Sequence, residues 1–174
     1  MVEHYQRLAA GRQALIFAVD IEHSKQIAEA FGPTCAHVDG RMPAGERDAI
    51  VARFRAGELQ QLTSCNILSE GLDVPGTGCI ILARPTQSEV LYRQQIGRGS
   101  RALPGKADFI ILDHAGNALR HGLYAAARAH TLTGRRRRQR ERQDGDGSVR
   151  QCLQCYAVYE SRLAACPYCQ WAPA

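Results

Sequence analysis

Short apolar runs alternate with amphipathic stretches along the first two thirds of the chain. Five runs of four to six residues have the length of buried strands. They are Ala14–Val19, Thr34–Val38, Leu62–Cys65, Cys79–Ala83 and Ala107–Leu112. Helices are predicted over Ile21–Phe31, Pro43–Phe54 and Ser88–Ile96, and Asp20 is the predicted N-cap of the first. This alternation predicts βαβ units, a parallel sheet and an α/β fold, in which ligands bind beyond the carboxyl ends of the strands.

The alternation ends near Thr133, and residues 134–147 contain no apolar side chain. We therefore expect a domain over residues 1–133, a linker over residues 134–148 and a small module over residues 149–174.

The excess positive charge is confined to one stretch. The whole chain carries a net charge of +5, whereas residues 120–142 hold eight arginines against one glutamate. The arginines at positions 135 to 138, with Arg140 and Arg142, therefore predict contact with phosphates, and a solvated linker is the alternative. The four consecutive residues are Arg135, Arg136, Arg137 and Arg138.

Hydropathy and cysteine usage limit the class of protein. No apolar run reaches the ~18–20 residues of a membrane span, and the N-terminus lacks the apolar core of a signal peptide. We expect a soluble cytoplasmic protein without a membrane partner. Three of the seven cysteines are scattered and four lie within 18 residues, which favours a metal site in a reducing compartment over disulfides.

The strongest chemical signal is the segment Gln94-Gln-Ile-Gly-Arg-Gly-Ser-Arg101. It resembles motif VI of superfamily-two helicases, Q-x-x-G-R-x-x-R. The resemblance implies that Arg98 and Arg101 stabilise charge on the γ-phosphate of ATP, an effect worth ~10³–10⁵ in rate. Gln94 would bind a phosphate or the attacking water, and Gly97 would allow the tight turn that brings both arginines to the nucleotide. A solvated helix end is the alternative.

A second resemblance lies one βα unit upstream. Ser69-Glu-Gly-Leu-Asp-Val-Pro75 resembles motif V of the same family. The resemblance implies that the backbone at Gly71 approaches the nucleotide closely and that Asp73 contacts its ribose or couples the two lobes. A loop with a capping aspartate is the alternative. The family touches the nucleic-acid backbone at the positions of Ser64 and Cys65, although many members have Thr-Asp where this chain has Cys65-Asn66.

Weaker matches complete the resemblance over residues 1–133. The run Ala14–Val19 resembles the strand of motif IV, and Val38-Asp-Gly40 resembles the region that precedes motif V. The stretch Ile111–Asn117 resembles a segment of phage and prophage helicases. The resemblance therefore implies a RecA-like parallel sheet flanked by helices, the second lobe of such a helicase.

The sequence contains neither a G-x-x-x-x-G-K-[ST] phosphate loop nor an Asp-Glu dipeptide. The family carries both on a first, N-terminal lobe. We therefore expect ATP and Mg²⁺ to bind mainly on such a lobe, present in cis or in trans, and the isolated chain to be inactive. DNA is the expected nucleic acid and RNA the alternative. A non-catalytic nucleic-acid-binding module is a rival function, although such a module would not need Arg98 and Arg101. An unrelated doubly wound nucleotide enzyme is a second rival, and the lack of a G-x-G-x-x-G or phosphate loop argues against it.

The C-terminal cysteines follow the spacing of a zinc ribbon. Two C-x-x-C pairs, Cys152 with Cys155 and Cys166 with Cys169, are separated by ten residues. Four thiolates would close Zn²⁺ to water, so its role would be structural; a redox C-x-x-C is the rival interpretation. The aromatic side chains here either stack on bases or form the core of the module. They are Tyr156, Tyr159, Tyr168 and Trp171.

Overall fold

A computed structural model describes residues 1–65, 74–126 and 148–173 and divides the chain into two compact units, Met1–Asn117 and Ala118–Ala174. Among the described residues, no helix combines the length and the apolar character that crossing a membrane requires.

The first unit is a five-stranded parallel sheet in the order β2-β3-β1-β4-β5, with helices between the strands. The strands are β1 (Ala14–Phe17), β2 (Cys35–Val38), β3 (Gln61–Ser64), β4 (Cys79–Leu82) and β5 (Ile110–Asp113). The helices are α1 (Val2–Leu8), α2 (Ile21–Phe31), α3 (Ala44–Arg55), α4 (Glu89–Gly97) and α5 (Asn117–His121), the last of which crosses the boundary of the units. The α/β fold with a RecA-like parallel sheet is confirmed.

Strands β1 and β4 are apolar along their whole length, as is typical of the buried strands of a parallel sheet. Every residue of β1, β3 and β4 is buried. Helix α2 begins where expected, since the Asp20 carboxylate accepts the His23 N–H at 2.8 Å. Helix α1 was not predicted; Tyr5 anchors it by burying its ring and donating its hydroxyl to the Arg12 carbonyl at 2.6 Å.

The strands are parallel, so all their amino ends lie at one edge of the sheet. The N–H of Ile110 donates to Gly78 at 3.0 Å, and the N–H of Gly78 donates to Gln13 at 2.9 Å, which aligns the starts of β5, β4 and β1. The connection from α4 to β5, residues 98–109, therefore lies at the amino edge. Cys65, which follows β3, lies at the carboxyl edge.

Gly99 is the point at which this connection touches the sheet. A Cβ atom at Gly99 would lie 2.6 Å from Cδ2 of Phe109 and 2.7 Å from Cγ1 of Ile80 in β4. Real side chains do not approach this closely, so only glycine lets the backbone lie against these two side chains.

A buried polar network joins α2 to the ends of β2 and β3. His37 lies between Ser24, whose hydroxyl is 2.7 Å from Nδ1, and Asp39, whose carboxylate is 2.8 Å from Nε2. The Ser24 hydroxyl is also 2.9 Å from that of Thr63. The network gives each of these buried polar groups a partner, as burial requires.

Asp39 uses its second carboxylate oxygen to form the turn into α3. It accepts the backbone N–H of Arg41 at 2.7 Å and that of Met42 at 3.1 Å. The hydrogen bond from His37, outweighing burial and aided by these two N–H groups, holds the pKa of Asp39 below its ordinary value of 3.8.

In the second unit, the described residues 148–173 form an antiparallel pair of strands, β6 (Val149–Gln151) and β7 (Val158–Glu160). Its core is Tyr159 packed with Cys152 and Cys166, against which Trp171 also packs. Within residues 148–173, two of the three buried side chains are cysteines, so sulfur forms much of the interior of this part of the chain.

We expect Asp39→Asn to destabilise the chain by about 1–3 kcal/mol at neutral pH, because the amide is a weaker acceptor than the carboxylate. The pKa of Asp39 is lower in the folded chain than in the unfolded chain, so ionised Asp39 stabilises the fold at pH values above its unfolded pKa. This stabilisation is lost as the pH falls through the folded pKa. The difference in unfolding free energy from wild type should therefore hold between about pH 8 and about pH 5 and shrink below about pH 4. Urea titrations across this pH range measure the difference in unfolding free energy, with exposed Asp48→Asn as the control. A difference that did not change with pH, down to the lowest pH at which the chain folds, would contradict the role given to the Asp39 carboxylate.

Gly99→Ala should destabilise the chain by about 1–3 kcal/mol, because the added methyl group overlaps Phe109 and Ile80. Gly45→Ala is the matched control: it lies in α3, a Cβ there meets no atom within 4 Å, and we expect it to be neutral or stabilising. Urea unfolding of the 174-residue chain compares the two variants. Equal stability of Gly99→Ala and wild type would show that the connection moves freely away from the sheet.

Candidate functional site

Helix α4 orients the first residue of the arginine segment. Ser88 caps the helix by accepting the Leu91 N–H at 3.2 Å. The side chains of Tyr92, Gln95 and Ile96 form its buried face. Gln94 is exposed. The packing of α4 therefore leaves Gln94, rather than its neighbour Gln95, accessible to a ligand.

The turn that separates the two arginines begins later than expected. Gly97 is the last residue of α4, and Arg98 keeps right-handed helical dihedral angles of φ −67° and ψ −30°. The Gly99 N–H then closes a tighter turn onto the Ile96 carbonyl at 2.9 Å. The glycine that the packing requires is therefore Gly99, which sequence reasoning missed although it stands between the two arginines.

The two arginines differ in exposure. Arg98 is half-buried at the end of the helix, and Arg101, three residues on, is exposed. The Ser100 hydroxyl donates to the Gly97 carbonyl at 3.1 Å and so ties the intervening turn to α4. The structure thus presents two guanidinium groups on one short, internally bonded segment at the amino edge of the sheet.

Lys106 contacts this segment, although the sequence had not indicated a role for it. Its ammonium donates to the carbonyls of Gly99 at 2.6 Å, Arg101 at 3.1 Å and Pro75 at 3.0 Å. Burial lowers the pKa of Lys106. One side chain therefore binds the backbone of the arginine segment and the last residue of Ser69–Pro75.

The nucleotide-contacting candidates of that second segment, Gly71 and Asp73, lie outside the described residues. Val74, which follows them, is buried, and Pro75 is half-buried. Through the bond from Lys106 to Pro75, the end of this segment lies beside the arginine segment.

The proposed nucleic-acid contacts in the sheet lie at the opposite edge from the arginines. Ser64, the last residue of β3, is fully buried, which leaves Cys65 as the accessible member of the pair. Cys65 is half-buried, and its thiol donates to the Val19 carbonyl at 3.2 Å. The arginines at positions 135 to 138 lie outside the described residues.

Asn117 is a further positioning side chain that the sequence did not reveal. It is fully buried; its amide donates to the Arg84 carbonyl at 2.9 Å and accepts the Thr86 N–H at 2.9 Å. It thereby fixes the chain between β4 and α4, from which the arginine segment follows.

In the second unit, four cysteine sulfurs converge on one point. All four Sγ atoms lie within 4.8 Å of one another, with 3.5 Å between Cys152 and Cys169 and 3.6 Å between Cys155 and Cys166. Four ligands at the Zn–S distance of ~2.3 Å stand ~3.8 Å apart in a tetrahedron, whereas a disulfide requires ~2.05 Å. The four-cysteine cluster fits a zinc ribbon.

The two C-x-x-C knuckles have the same backbone geometry. In each knuckle, the carbonyl of the first cysteine accepts a hydrogen bond from the N–H of the residue four positions later. The N–H of the same cysteine donates to the carbonyl of the residue five positions later. These bonds are Tyr156 to Cys152 at 3.0 Å, Gln170 to Cys166 at 2.9 Å, Cys152 to Ala157 at 2.9 Å and Cys166 to Trp171 at 2.8 Å. The repeat aims both sulfur pairs at a common centre.

The cluster favours a thiolate at Cys152. Burial raises the pKa of Cys152, but hydrogen bonds from the backbone N–H groups of Cys155 and Gln154, and from the thiol of Cys169, lower it to about 6. At Cys155 and Cys169 the backbone N–H groups of Ala157 and Trp171 lower the pKa, but burial and hydrogen bonds to the other thiols outweigh them and raise it.

The aromatic side chains of this unit divide between the two roles considered from sequence. Tyr159 is 2% exposed and Trp171 packs against the cysteines, so these two belong to the core. Tyr156 is 60% and Tyr168 73% exposed, which leaves both rings accessible to a partner.

Comparison with known proteins identifies the family of the first unit. Residues 1–103 match the helicase conserved C-terminal domain. A 51.5 kDa protein of Lactococcus phage (isolate 7-9) is 38% identical over 126 residues, covering 71% of this chain and 28% of that protein. IRC3 of Saccharomyces cerevisiae, described as a candidate ATP-dependent helicase, is 35% identical over 116 residues, covering 65% of this chain and 17% of that protein.

A solved structure agrees with these matches. A fragment of a candidate HsdR subunit of a type I restriction enzyme from Vibrio vulnificus YJ016 has a TM-score of 0.59 and 26% identity, and covers 67% of this chain and 25% of that chain. The chain thus spans between 17% and 28% of the length of these similar proteins. By the match over residues 1–103, the chain belongs to the helicase conserved C-terminal domain family of the superfamily-two helicases.

Proposed function

We propose that residues 1–133 form the second motor lobe of an ATP-dependent helicase or translocase. In this proposal ATP and Mg²⁺ bind mainly on a first lobe, joined in cis or supplied in trans, and Arg98 and Arg101 approach the nucleotide across the cleft. DNA is the proposed nucleic acid, and RNA is the comparison to test.

The observation that carries the proposal is the fixed presentation of Arg98 and Arg101. A capped helix, the close contact at Gly99 and the Ser100 hydroxyl bond hold the segment at an edge of the sheet. Preorganised cations stabilise developing phosphate charge without reorganising during the reaction, and this is how guanidinium groups accelerate phosphoryl transfer. A segment that served only as a solvated helix end would not need this immobilisation.

The other residues receive roles by position. Exposed Gln94 would bind a phosphate oxygen or the attacking water, and Gly71 and Asp73 would contact the nucleotide. Cys65 would lie along the nucleic-acid backbone at the opposite edge of the sheet. Closure of the two lobes on ATP and opening after hydrolysis would then move them along a strand.

We expect the 174-residue chain alone to hydrolyse no ATP, and the chain combined with a first lobe to show ATPase activity stimulated by single-stranded DNA. Arg101→Ala should lower kcat by ~10³–10⁵, because the γ-phosphate charge loses its guanidinium partner. A phosphate-release assay measures both, with exposed Arg55→Ala in α3 as the control for loss of one positive charge. An RNA of equal length tests the choice of nucleic acid.

The same assay distinguishes the motor function from a second candidate function, that of a non-catalytic nucleic-acid-binding module. Exposed Tyr156 and Tyr168 and the arginines at positions 135 to 138 favour that candidate, since stacking and phosphate contact would suffice for binding. DNA binding without ATPase activity in the presence of a first lobe would support it and refute the motor proposal.

We further propose that the four cysteines hold one structural Zn²⁺. The metal would supply the cross-link that the small core of this unit lacks, and four thiolates leave no position for water. The chain's part is to fix two knuckles of equal geometry around one centre.

The purified chain should contain about one Zn²⁺, and Cys166→Ser should lose it, because three thiolates form an open, weaker site. Elemental analysis measures the metal. Trp171 is the only tryptophan and packs against the cluster, so chelation should also change its fluorescence. Cys35→Ser, in β2, is the matched control and should keep the metal. A chain free of zinc with unchanged fluorescence on chelation would exclude the site.

A further inference from the structure

The three hydrogen bonds of Lys106 are all made to backbone carbonyls of the segments that resemble nucleotide-contacting motifs. Two of the carbonyls, those of Gly99 and Arg101, stand on either side of Ser100 in the arginine segment. The third, that of Pro75, ends Ser69–Pro75. An ammonium group has three N–H donors, so these bonds use its full capacity.

The geometry suits lysine and no other cation. A compact ammonium on a flexible stem can direct three protons to three separate oxygens, whereas a guanidinium is a planar fork matched to paired acceptors. The chain has twenty arginines and only two lysines, and the other, Lys25, is exposed on α2. Lysine therefore stands at position 106 in a sequence that elsewhere uses arginine for nearly every positive charge.

Lys106 also connects the arginine segment to the sheet. Its ammonium lies 5.9 Å from the centre of the Phe109 ring, the ring that Gly99 packs against. Fixing the carbonyls on both sides of Ser100 fixes two peptide planes, and with them the direction in which the Arg101 side chain leaves the backbone. The contact with Pro75 ties that direction to the neighbouring segment.

We propose that Lys106 is a positioning residue that sets the orientation of Arg101, and links it to Ser69–Pro75, for action on the nucleotide. This inference rests on the proposed motor function. Lys106 itself touches no substrate in the proposal; it acts through the backbone carbonyls of Gly99, Arg101 and Pro75.

The kinetic experiment compares Lys106→Met, Lys106→Arg and the control Lys25→Met in the chain combined with a first lobe. We expect both Lys106 variants to lower kcat by ~10–100-fold, since small misplacement of a catalytic group has effects of this size. The KM for ATP should stay within about twofold, because the nucleotide is bound mainly on the first lobe. Lys25→Met should match wild type. Full activity of Lys106→Arg, or a raised KM with unchanged kcat, would overturn the proposal.

A second measurement needs no ATPase activity. In the 174-residue chain, amide hydrogen exchange at Arg98 and Gly99, whose N–H groups donate to the carbonyls of Gln95 and Ile96, should accelerate by at least ~10-fold in both Lys106 variants, while the amides of β1 and β4 keep their protection. Unchanged exchange would overturn the proposal, and so would acceleration throughout the sheet, which marks a general loss of stability. Lys106→Gln replaces Lys106→Met if the latter does not fold, with the same expectations.

The two measurements separate the two levels of inference. If wild type combined with a first lobe shows no ATPase activity, the motor function fails, while exchange still decides whether Lys106 orders the segment. If wild type is active and neither Lys106 variant changes kcat, the motor function stands and the positioning role is refuted.

Discussion

The close contact of Gly99 with the sheet is the constraint on which the arrangement of the first unit depends. Because Gly99 has no Cβ, the connection from α4 can lie against Ile80 and Phe109. Arg98 lies on one side of this contact, still helical, and Arg101 lies on the other, outside the helix. The Ser100 and Lys106 hydrogen bonds add direction to a position that packing has already set.

Different forces stabilise each of the two units. The first buries uninterrupted apolar strands between helices, and removing apolar surface from water stabilises it. The second has a pair of three-residue strands and an interior made largely of sulfur. The described part of this unit buries little apolar area to set against its conformational entropy, which supports the proposal that a metal at the cysteines stabilises it.

The sequence predicted the elements whose signal is local and missed those that depend on tertiary contacts. The buried strands and α2 were found within a few residues because apolar runs and a capping aspartate mark them directly. Helix α1 has only seven residues and is fixed by the burial of Tyr5.

The same distinction holds in the candidate sites. The arginine pattern and the cysteine spacing are visible in the sequence, but the requirement for glycine at 99 arises from Phe109 and Ile80, which are distant along the chain. The role of Lys106 likewise depends on carbonyls from two segments. Every residue has a backbone carbonyl, so the sequence does not show which of them bind Lys106. No sequence pattern distinguishes the buried Tyr159 from the exposed Tyr156.

The parallel sheet imposes a physical link between the two candidate sites of the first unit. The accessible Cys65 lies where β3 ends, and the arginine segment lies where β4 and β5 begin. A connection between parallel strands must return from the carboxyl edge to the amino edge, so the chain from Cys65 to Pro75 joins these two edges. Pro75 then meets Lys106, and Lys106 meets Arg101, so the covalent chain and two hydrogen bonds form a continuous path between the edges. Both of these hydrogen bonds are made by one ammonium group, so the contact between Pro75 and the backbone of Arg101 depends on the single side chain of Lys106.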